Sequence, residues 1–119
     1  MVEKDNFMEN LKKLVELGKS KKGVLDICVL SVLQKGPSYG YVIIDEVSKC
    51  VEISESTLYP LLKRLESLGC VTGYTQEHNG RTRKYYRITS AGTERIRMFL
   101  SEWEQMQRIY HFVEGNSSF

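Results

Sequence analysis

A stripe of leucines between Ser54 and Gly69 constrains the fold more than any other feature of the chain. The stripe consists of Leu58, Leu61, Leu62, Leu65 and Leu68. Their spacing places them on one face of a helix, so we predict a helix over residues 54–68 with an apolar inner face. Gly69 is expected to end this helix, because glycine just past the last turn readily adopts the conformation that stops one. The side chains that fall off the stripe are available for outside contacts: Ser56, Tyr59, Lys63 and Arg64.

Pro60 lies within this predicted helix and leaves the position of its start open. Inside a helix, proline removes one backbone hydrogen bond and clashes with the preceding turn. If the helix begins near Thr57, Pro60 falls in the first turn, where proline costs little.

A basic hairpin is predicted directly after the leucine helix. Residues 71–76 and 84–89 are rich in β-branched and aromatic side chains, which favours strands, and Asn79-Gly80 between them indicates a tight turn. Four basic side chains and one acid give residues 77–87 a formal charge of +3, against +2 for the whole chain. The basic residues are Arg81, Arg83, Lys84 and Arg87. Such a loop can follow a phosphate backbone or enter a minor groove, although a solvated hairpin is also often charged.

The remaining segments predict helices. Residues 5–18 are amphipathic, and residues 24–35 are apolar nearly all round, as in a central buried helix. Gly36-Pro37-Ser38 indicates a turn, with Ser38 capping a helix over residues 39–50. Thr89 or Ser90 is expected to cap a last helix that ends near Glu114.

The predicted fold class is therefore mainly α with a small β-hairpin, a winged helix-turn-helix with dimerisation helices at both ends. The domain boundaries we expect are residues 1–23 for an N-terminal amphipathic helix and basic joint, 24–89 for the DNA-binding domain, 90–114 for a C-terminal dimerisation helix and 115–119 for a flexible tail.

Composition argues against several other classes of protein. The three cysteines, Cys28, Cys50 and Cys70, form no metal-binding spacing, so we expect no metal, and we expect no cofactor either. An odd number of cysteines without a signal sequence indicates reduced thiols in the cytoplasm. We expect Cys28 to be inert within the buried helix, and Cys50 and Cys70 to be partly exposed at helix ends. The longest apolar run is far too short to span a membrane. Neither His78 nor His111 has a nucleophile setting, so we expect no catalytic residues and no enzyme activity.

Several motifs together resemble the PadR family of bacterial winged-helix transcriptional regulators. The matching segments are Leu25-Asp26-Ile27-Cys28-Val29-Leu30, Gly36-Pro37-Ser38-Tyr39-Gly40-Tyr41, Thr57-Leu58-Tyr59-Pro60 through Arg64-Leu65-Glu66 and Gly69, and Gly80-Arg81-Thr82-Arg83-Lys84-Tyr85-Tyr86-Arg87-Ile88-Thr89 with Gly92. The resemblance spans about residues 24–113, most of the chain. It implies a homodimer that binds a pseudo-palindromic operator in double-stranded DNA, most often as a repressor.

The resemblance also implies which residues contact DNA. The helix at 54–68 enters the major groove, and the loop at 77–83 is the wing. The candidates are Tyr39, Tyr41, Ser54, Ser56, Thr57, Tyr59, Lys63, Arg64, Arg81, Arg83 and Lys84. Simpler roles stay open for some of them, since Ser54 or Ser56 could cap the helix and Tyr41 could be a core aromatic.

The last predicted helix carries a heptad-like pattern. Its members are Ile96, Phe99, Trp103, Met106, Tyr110 and Val113, spaced alternately by three and four residues. Because this helix follows the hairpin, little of its own domain remains for it to cover. We therefore expect a dimer in which the helix at residues 5–18 of one chain packs on the terminal helix of the other. An intramolecular contact with residues 5–18 is the alternative.

Trp103 lies in the middle of this pattern, where core packing is the ordinary role of tryptophan. Some short, multidrug-sensing PadR regulators bind flat, often cationic aromatic drugs between their subunits, stacked on a tryptophan of the terminal helix. The resemblance therefore implies a ligand site at Trp103, Phe99 and Met106. Longer members that respond to phenolic acids have a larger C-terminal domain, which is missing here, so we do not expect their ligand.

A winged helix that binds only proteins is the alternative function. The charge of the predicted wing distinguishes the two, because it has no evident purpose in a purely protein-binding domain.

Overall fold

The computed structural model describes residues 21–117, so the helix predicted at residues 5–18 lies outside the described residues. In chain order, the elements are α1 (Lys21–Gln34), β1 (Ser38–Tyr39), α2 (Gly40–Val47), α3 (Glu55–Ser67), β2 (Val71–His78), β3 (Arg81–Ile88) and α4 (Ser90–Gly115). The strands form one antiparallel sheet in the order β1-β3-β2. The predicted class, mainly helical with a small hairpin, is confirmed.

The core is built around α1, which packs against the other three helices and β3. Val29, Leu30 and Leu33 of α1 are at most 1% exposed, as expected for a helix that is apolar nearly all round. They join side chains from every helix and the sheet in one buried cluster. The helices and the hairpin are thereby held around a common centre.

The leucine stripe of α3 is buried at four of its five predicted positions. Leu58, Leu61, Leu62 and Leu65 are at most 3% exposed, whereas Leu68 is 54% exposed, so its predicted place in the core is wrong. The reason is the helix end: the N–H of Gly69 donates to the carbonyl of Glu66, and that of Cys70 to the carbonyl of Leu65. This pattern, with Gly69 at a φ of 74°, turns the chain sharply and leaves Leu68 outside.

Pro60 is the sixth residue of α3, because the helix begins at Glu55. It therefore lies beyond the first turn, and its missing N–H leaves the carbonyl of Ser56 without the usual donor. Ser56 is exposed, so water can supply that donor at little cost.

The strand β1 was not predicted. Ser38 pairs with Tyr86 and is buried in the sheet, so the expectation that it caps the next helix is wrong. The residue at the N-terminal cap of α2 is Tyr39, whose side chain makes no capping bond, and the helix ends at Val47 rather than at residue 50. The open edge of β3 supplies backbone partners that outweigh the local capping preference of serine.

The hairpin extends further than predicted on both strands and turns at the predicted residues. Asn79 and Gly80 have φ values of 53° and 79°. Two successive residues in the left-handed region are typical of the tight turn whose twist matches that of the strands.

Thr89 caps the start of α4, and its Oγ1 accepts a hydrogen bond from the N–H of Gly92. Beyond Gly115, the side chains of Asn116 and Ser117 donate back to the carbonyls of Phe112 and Val113. The tail expected from residue 115 is thus hydrogen-bonded as far as residue 117.

Candidate nucleic-acid interface

The first turn of α3 presents a cluster of hydroxyl groups. The Oγ of Ser54 lies 3.0 Å from the Oγ of Ser56 and 3.2 Å from the Oγ1 of Thr57, and all three residues are exposed. Ser54 occupies the N-terminal cap position, but its side chain makes no bond to the helix backbone. These hydroxyls are therefore available to a partner at the positive end of the helix dipole.

Tyr59 and Lys63 continue this exposed face along α3. Tyr59 is 50% exposed, and Lys63 is exposed with no ion pair recorded among residues 21–117. The phenol of Tyr59 lies over Gly40 at the start of α2, so closely that a Cβ on Gly40 would be 2.6 Å from its hydroxyl oxygen. The N-terminus of α2 and the exposed face of α3 thus meet at one surface.

Tyr41 lies in the first turn of α2 and is 68% exposed. The alternative that Tyr41 is a core aromatic is therefore wrong. It directly follows Gly40, over which the phenol of Tyr59 lies.

The outer face of the sheet carries a row of three tyrosines, one from each strand. The ring centroids of Tyr39 and Tyr85 are 5.2 Å apart, and those of Tyr85 and Tyr74 are 5.8 Å apart. Arg83 lies over Tyr39 at 4.5 Å, and Arg87 over Tyr74 at 5.2 Å. Both guanidinium groups are held by cation–π contacts, and a guanidinium held in this way can still donate to an anion from its exposed N–H groups.

The arginines of β3 share this face because side chains alternate along a strand. Arg81, Arg83 and Arg87 lie two or four residues apart, and the residues of β2 that point the same way include no acid. Arg81, beside the tip, is exposed, whereas the Nε of Arg83 is buried without a hydrogen-bond partner. The outer face of the wing is therefore uniformly positive.

Lys84 points to the opposite face of the sheet. Its Nζ lies 3.5 Å from Glu66 Oε1, and Glu66 Oε2 accepts a hydrogen bond from the N–H of Gly73 at 3.1 Å. Glu66 is on α3, so these contacts join the hairpin to that helix. Lys84, a predicted DNA contact, is 51% exposed and connects the hairpin with α3 through Glu66.

Arg64 is likewise engaged within the protein. Its Nη2 donates to Oδ1 of Asp26 on α1 at 2.5 Å, and Arg95 of α4 approaches the other oxygen. Although Arg64 falls off the leucine stripe, its guanidinium is thus directed at α1. Asp26 was missed as an organising residue, although one acid within an apolar helix is the sequence signal of a buried ion pair.

The apolar pattern of α4 divides between the core and the surface. Ile96 is 8% exposed and belongs to the core. It was predicted to contact a second copy, but it packs within its own chain instead. Trp103, Tyr110 and Val113 are 51–60% exposed, while Phe99 and Met106 are half-buried. The Phe99 and Trp103 rings stack at 6.1 Å.

Further exposed apolar side chains on α4 lie outside the predicted heptad positions. They are Met98, Leu100 and Phe112. A search of the sequence for all apolar residues in this helix, rather than for one repeat, would have found them.

The cysteines differ from the predictions at one position. Burial raises the pKa of the half-buried Cys28 thiol, with a smaller contribution from Cys50, which agrees with an inert group. Cys50 is exposed, as expected, but Cys70 is 4% exposed, so its predicted exposure is wrong.

No helix within residues 21–117 has the length and apolar character that crossing a membrane would need.

A helix with a polar outer face, a preceding helix packed against it and a basic antiparallel hairpin define the winged helix-turn-helix class of DNA-binding domains. Residues 29–98 match the transcriptional regulator PadR-like family. The chain belongs to this family and is a transcription regulator, which confirms the resemblance.

Solved structures agree with this assignment. The chain is similar to the smu.1704 protein of Streptococcus mutans, with a TM-score of 0.72 and 38% identity over 83% of this chain and 94% of the other. A PadR family transcription regulator of Clostridium difficile gives a TM-score of 0.69 and 32% identity over 75% and 96%. Bacillus subtilis PadR, solved in complex with operator DNA, gives 0.58 and 29% over 65% and 46%.

Proposed function

We propose that this regulator is a repressor that binds a pseudo-palindromic DNA operator as a homodimer and is released by a planar aromatic ligand. The observation that carries the DNA-binding part is the pair of adjacent surfaces on α3 and the wing. One presents exposed hydroxyl, phenol and ammonium groups, and the other presents arginines without acids. The Bacillus subtilis relative that was solved with operator DNA supports the same partner.

The proposed DNA contacts lie on these two surfaces, and none of them pairs with an acid within residues 21–117. Side chains of α3 meet base edges and phosphates in the major groove, and the arginines of the wing meet phosphates or the minor groove. The proposed contacts are Tyr39, Tyr41, Ser54, Ser56, Thr57, Tyr59, Lys63, Arg81 and Arg83. We assign Arg64 and Lys84 to positioning, since each pairs with an acid of this chain.

The arginine-bearing wing also separates this proposal from a winged helix that binds only proteins. Replacing Arg81 by alanine is expected to weaken binding to all duplexes, because a phosphate contact carries no sequence information. The log–log slope of affinity against salt should fall by about one unit for each lost contact, hence about two for a dimer. Gel-shift titrations at several salt concentrations measure this slope.

The matched control for that experiment is Arg97→Ala. Arg97 is 72% exposed on α4 and is not a proposed contact, so this variant removes the same charge without removing one. If Arg81→Ala and Arg97→Ala have the same salt slope as the unsubstituted protein, Arg81 does not contact DNA.

The proposed dimer uses the outer half of α4. Its exposed apolar side chains include Trp103, Leu100 and Tyr110, each at least 51% exposed in the single chain. A second copy would bury them, and a symmetric operator needs two reading helices at a spacing of about 34 Å. The planar ligand is proposed to stack on Trp103, with Phe99 and Met106 beside it, in the cleft between the two copies.

Trp103 is the only tryptophan of the chain, so its fluorescence tests this arrangement. We expect blue-shifted emission at concentrations where sedimentation gives twice the chain mass of 13.8 kDa, because a partner removes the indole from water. A planar cationic dye such as acridine orange should quench that emission. Emission typical of a water-exposed indole in a sedimenting dimer would place the dimer contact elsewhere.

A further inference from the structure

Asp26 is a carboxylate buried among the helices of the core. It lies on α1, and its side chain is only 4% exposed. A buried charge is tolerated only where partners compensate the lost hydration, so the groups around Asp26 are expected to be held firmly.

The two oxygens of this carboxylate are directed at two different helices. Oδ1 accepts a hydrogen bond from Nη2 of Arg64 on α3, and Oδ2 lies 3.8 Å from Nη2 of Arg95 on α4. The helix that presents the proposed DNA contacts and the helix that presents the exposed apolar surface therefore share one buried anion.

A second set of bonds joins the same two helices at their ends. The Oγ1 of Thr89 donates to the carbonyl of Gly69, and the N–H of Thr89 donates to the carbonyl of Cys70 at 3.0 Å. Because Gly69 and Cys70 end α3 while Thr89 caps α4, the end of one helix is attached to the start of the other. The Asp26 contacts add a connection about one turn into α4.

We infer that Asp26 is a positioning residue that holds α3 and α4 as one rigid unit, so that the arrangement of α4 sets how α3 is presented to DNA. This inference rests on the proposed function. A second copy or a ligand that reorients α4 then changes the affinity for DNA. Because binding equilibria are linked reciprocally, bound DNA then also changes the affinity of α4 for a second copy or a ligand.

Arg95 offers the cleanest test of this coupling. It is 41% exposed and lies on α4, outside the proposed DNA contacts, so Arg95→Gln removes one partner of Asp26 while Arg64 remains. The control is Arg97→Gln, which removes an arginine two residues further along the same helix. Both variants lose one positive charge, so a long-range electrostatic effect is the same for both.

The probe is a duplex that the unsubstituted protein selects from a randomised library, compared with an unrelated duplex of equal length. We expect Arg95→Gln to bind the selected duplex at least about fivefold more weakly, which is the lower end of typical allosteric coupling. Arg97→Gln should bind both duplexes like the unsubstituted protein. Thermal unfolding and sedimentation are measured on each variant, so that DNA affinity is compared between folded proteins of equal mass.

A double-mutant cycle tests whether Asp26 carries the effect. If Arg95 acts through Asp26, the loss of affinity in the combined Asp26→Asn, Arg95→Gln variant is smaller than the sum of the two separate losses. If Asp26→Asn does not fold, the inference is tested by the comparison of Arg95→Gln with Arg97→Gln alone.

The outcomes separate this inference from the proposed function. Equal affinity of Arg95→Gln and Arg97→Gln for the selected duplex overturns the inference and leaves DNA binding intact. A library from which the unsubstituted protein selects no sequence overturns the proposed function itself.

Discussion

Replacing Tyr59 by alanine is expected to lower the affinity for the selected duplex by about 10- to 100-fold, the loss typical of one specific contact. Tyr59 is half-exposed in the middle of the proposed reading surface of α3, where its phenol lies over Gly40. Affinity for an unrelated duplex should fall much less, because phosphate contacts dominate binding there. Competition gel shifts with both duplexes measure the two losses together.

Two further variants show whether the position of the tyrosine ring matters. Tyr59→Phe keeps the ring over Gly40 and removes only the hydroxyl. Gly40→Ala keeps the hydroxyl but displaces it, since the new Cβ would lie 2.6 Å from it, and the half-exposed ring can swing away. We expect Gly40→Ala to lose selectivity as Tyr59→Ala does. Unchanged selectivity in both Tyr59→Ala and Gly40→Ala would remove Tyr59 from the proposed DNA contacts.

Replacing Gly92 by alanine is expected to destabilise the protein by about 2–3 kcal/mol. Gly92 is in the first turn of α4, where an added Cβ would collide with the backbone carbonyl oxygen of Cys70 and lie 2.7 Å from Cγ1 of Ile88. Neither neighbour can move without disturbing the bond from the Thr89 N–H to Cys70 or the core. The melting temperature should fall by about 10 °C or more, as measured by circular dichroism.

Gly115→Ala is the matched control in the same helix. Gly115 is exposed at the end of α4, and an added Cβ would meet nothing within 4 Å. Alanine is a better helix former than glycine, so this variant should be as stable as the original protein or slightly more stable. Equal melting temperatures for the two variants would mean that α4 does not pack closely against the turn after α3.

Local patterns were sufficient to predict most of the elements. The leucine spacing of α3, the apolar run of α1 and the Asn79-Gly80 turn each depend on interactions within a few residues. The structure confirms them because the period of the apolar residues matches the period of the element that buries them. The strand β1 was missed because its backbone partners, Tyr85 and Tyr86, lie more than 40 residues further along the chain.

In the candidate site as well, the sequence identifies the basic residues, whereas the tertiary structure determines which of them pair within the protein. From the sequence, Arg81, Arg83, Lys84 and Arg64 are equivalent cations near a helix and a hairpin. Alternation along β3 separates Lys84 from the two arginines, and acids on other elements, Glu66 and Asp26, pair with Lys84 and Arg64. Which cations remain for a partner depends on those distant acids, and no local pattern contains that information.

By itself, the sequence determined the class of fold, the family and the two segments that are proposed to meet DNA. Helix and turn preferences and apolar periodicity act over short stretches of chain, and the family motifs can be read directly from the residues. Only the tertiary structure decided that Leu68 lies outside, that Ile96 belongs to the core and that Asp26 connects α3 with α4. Burial and ion pairing depend on which distant segments meet, and the folded chain alone brings those segments together.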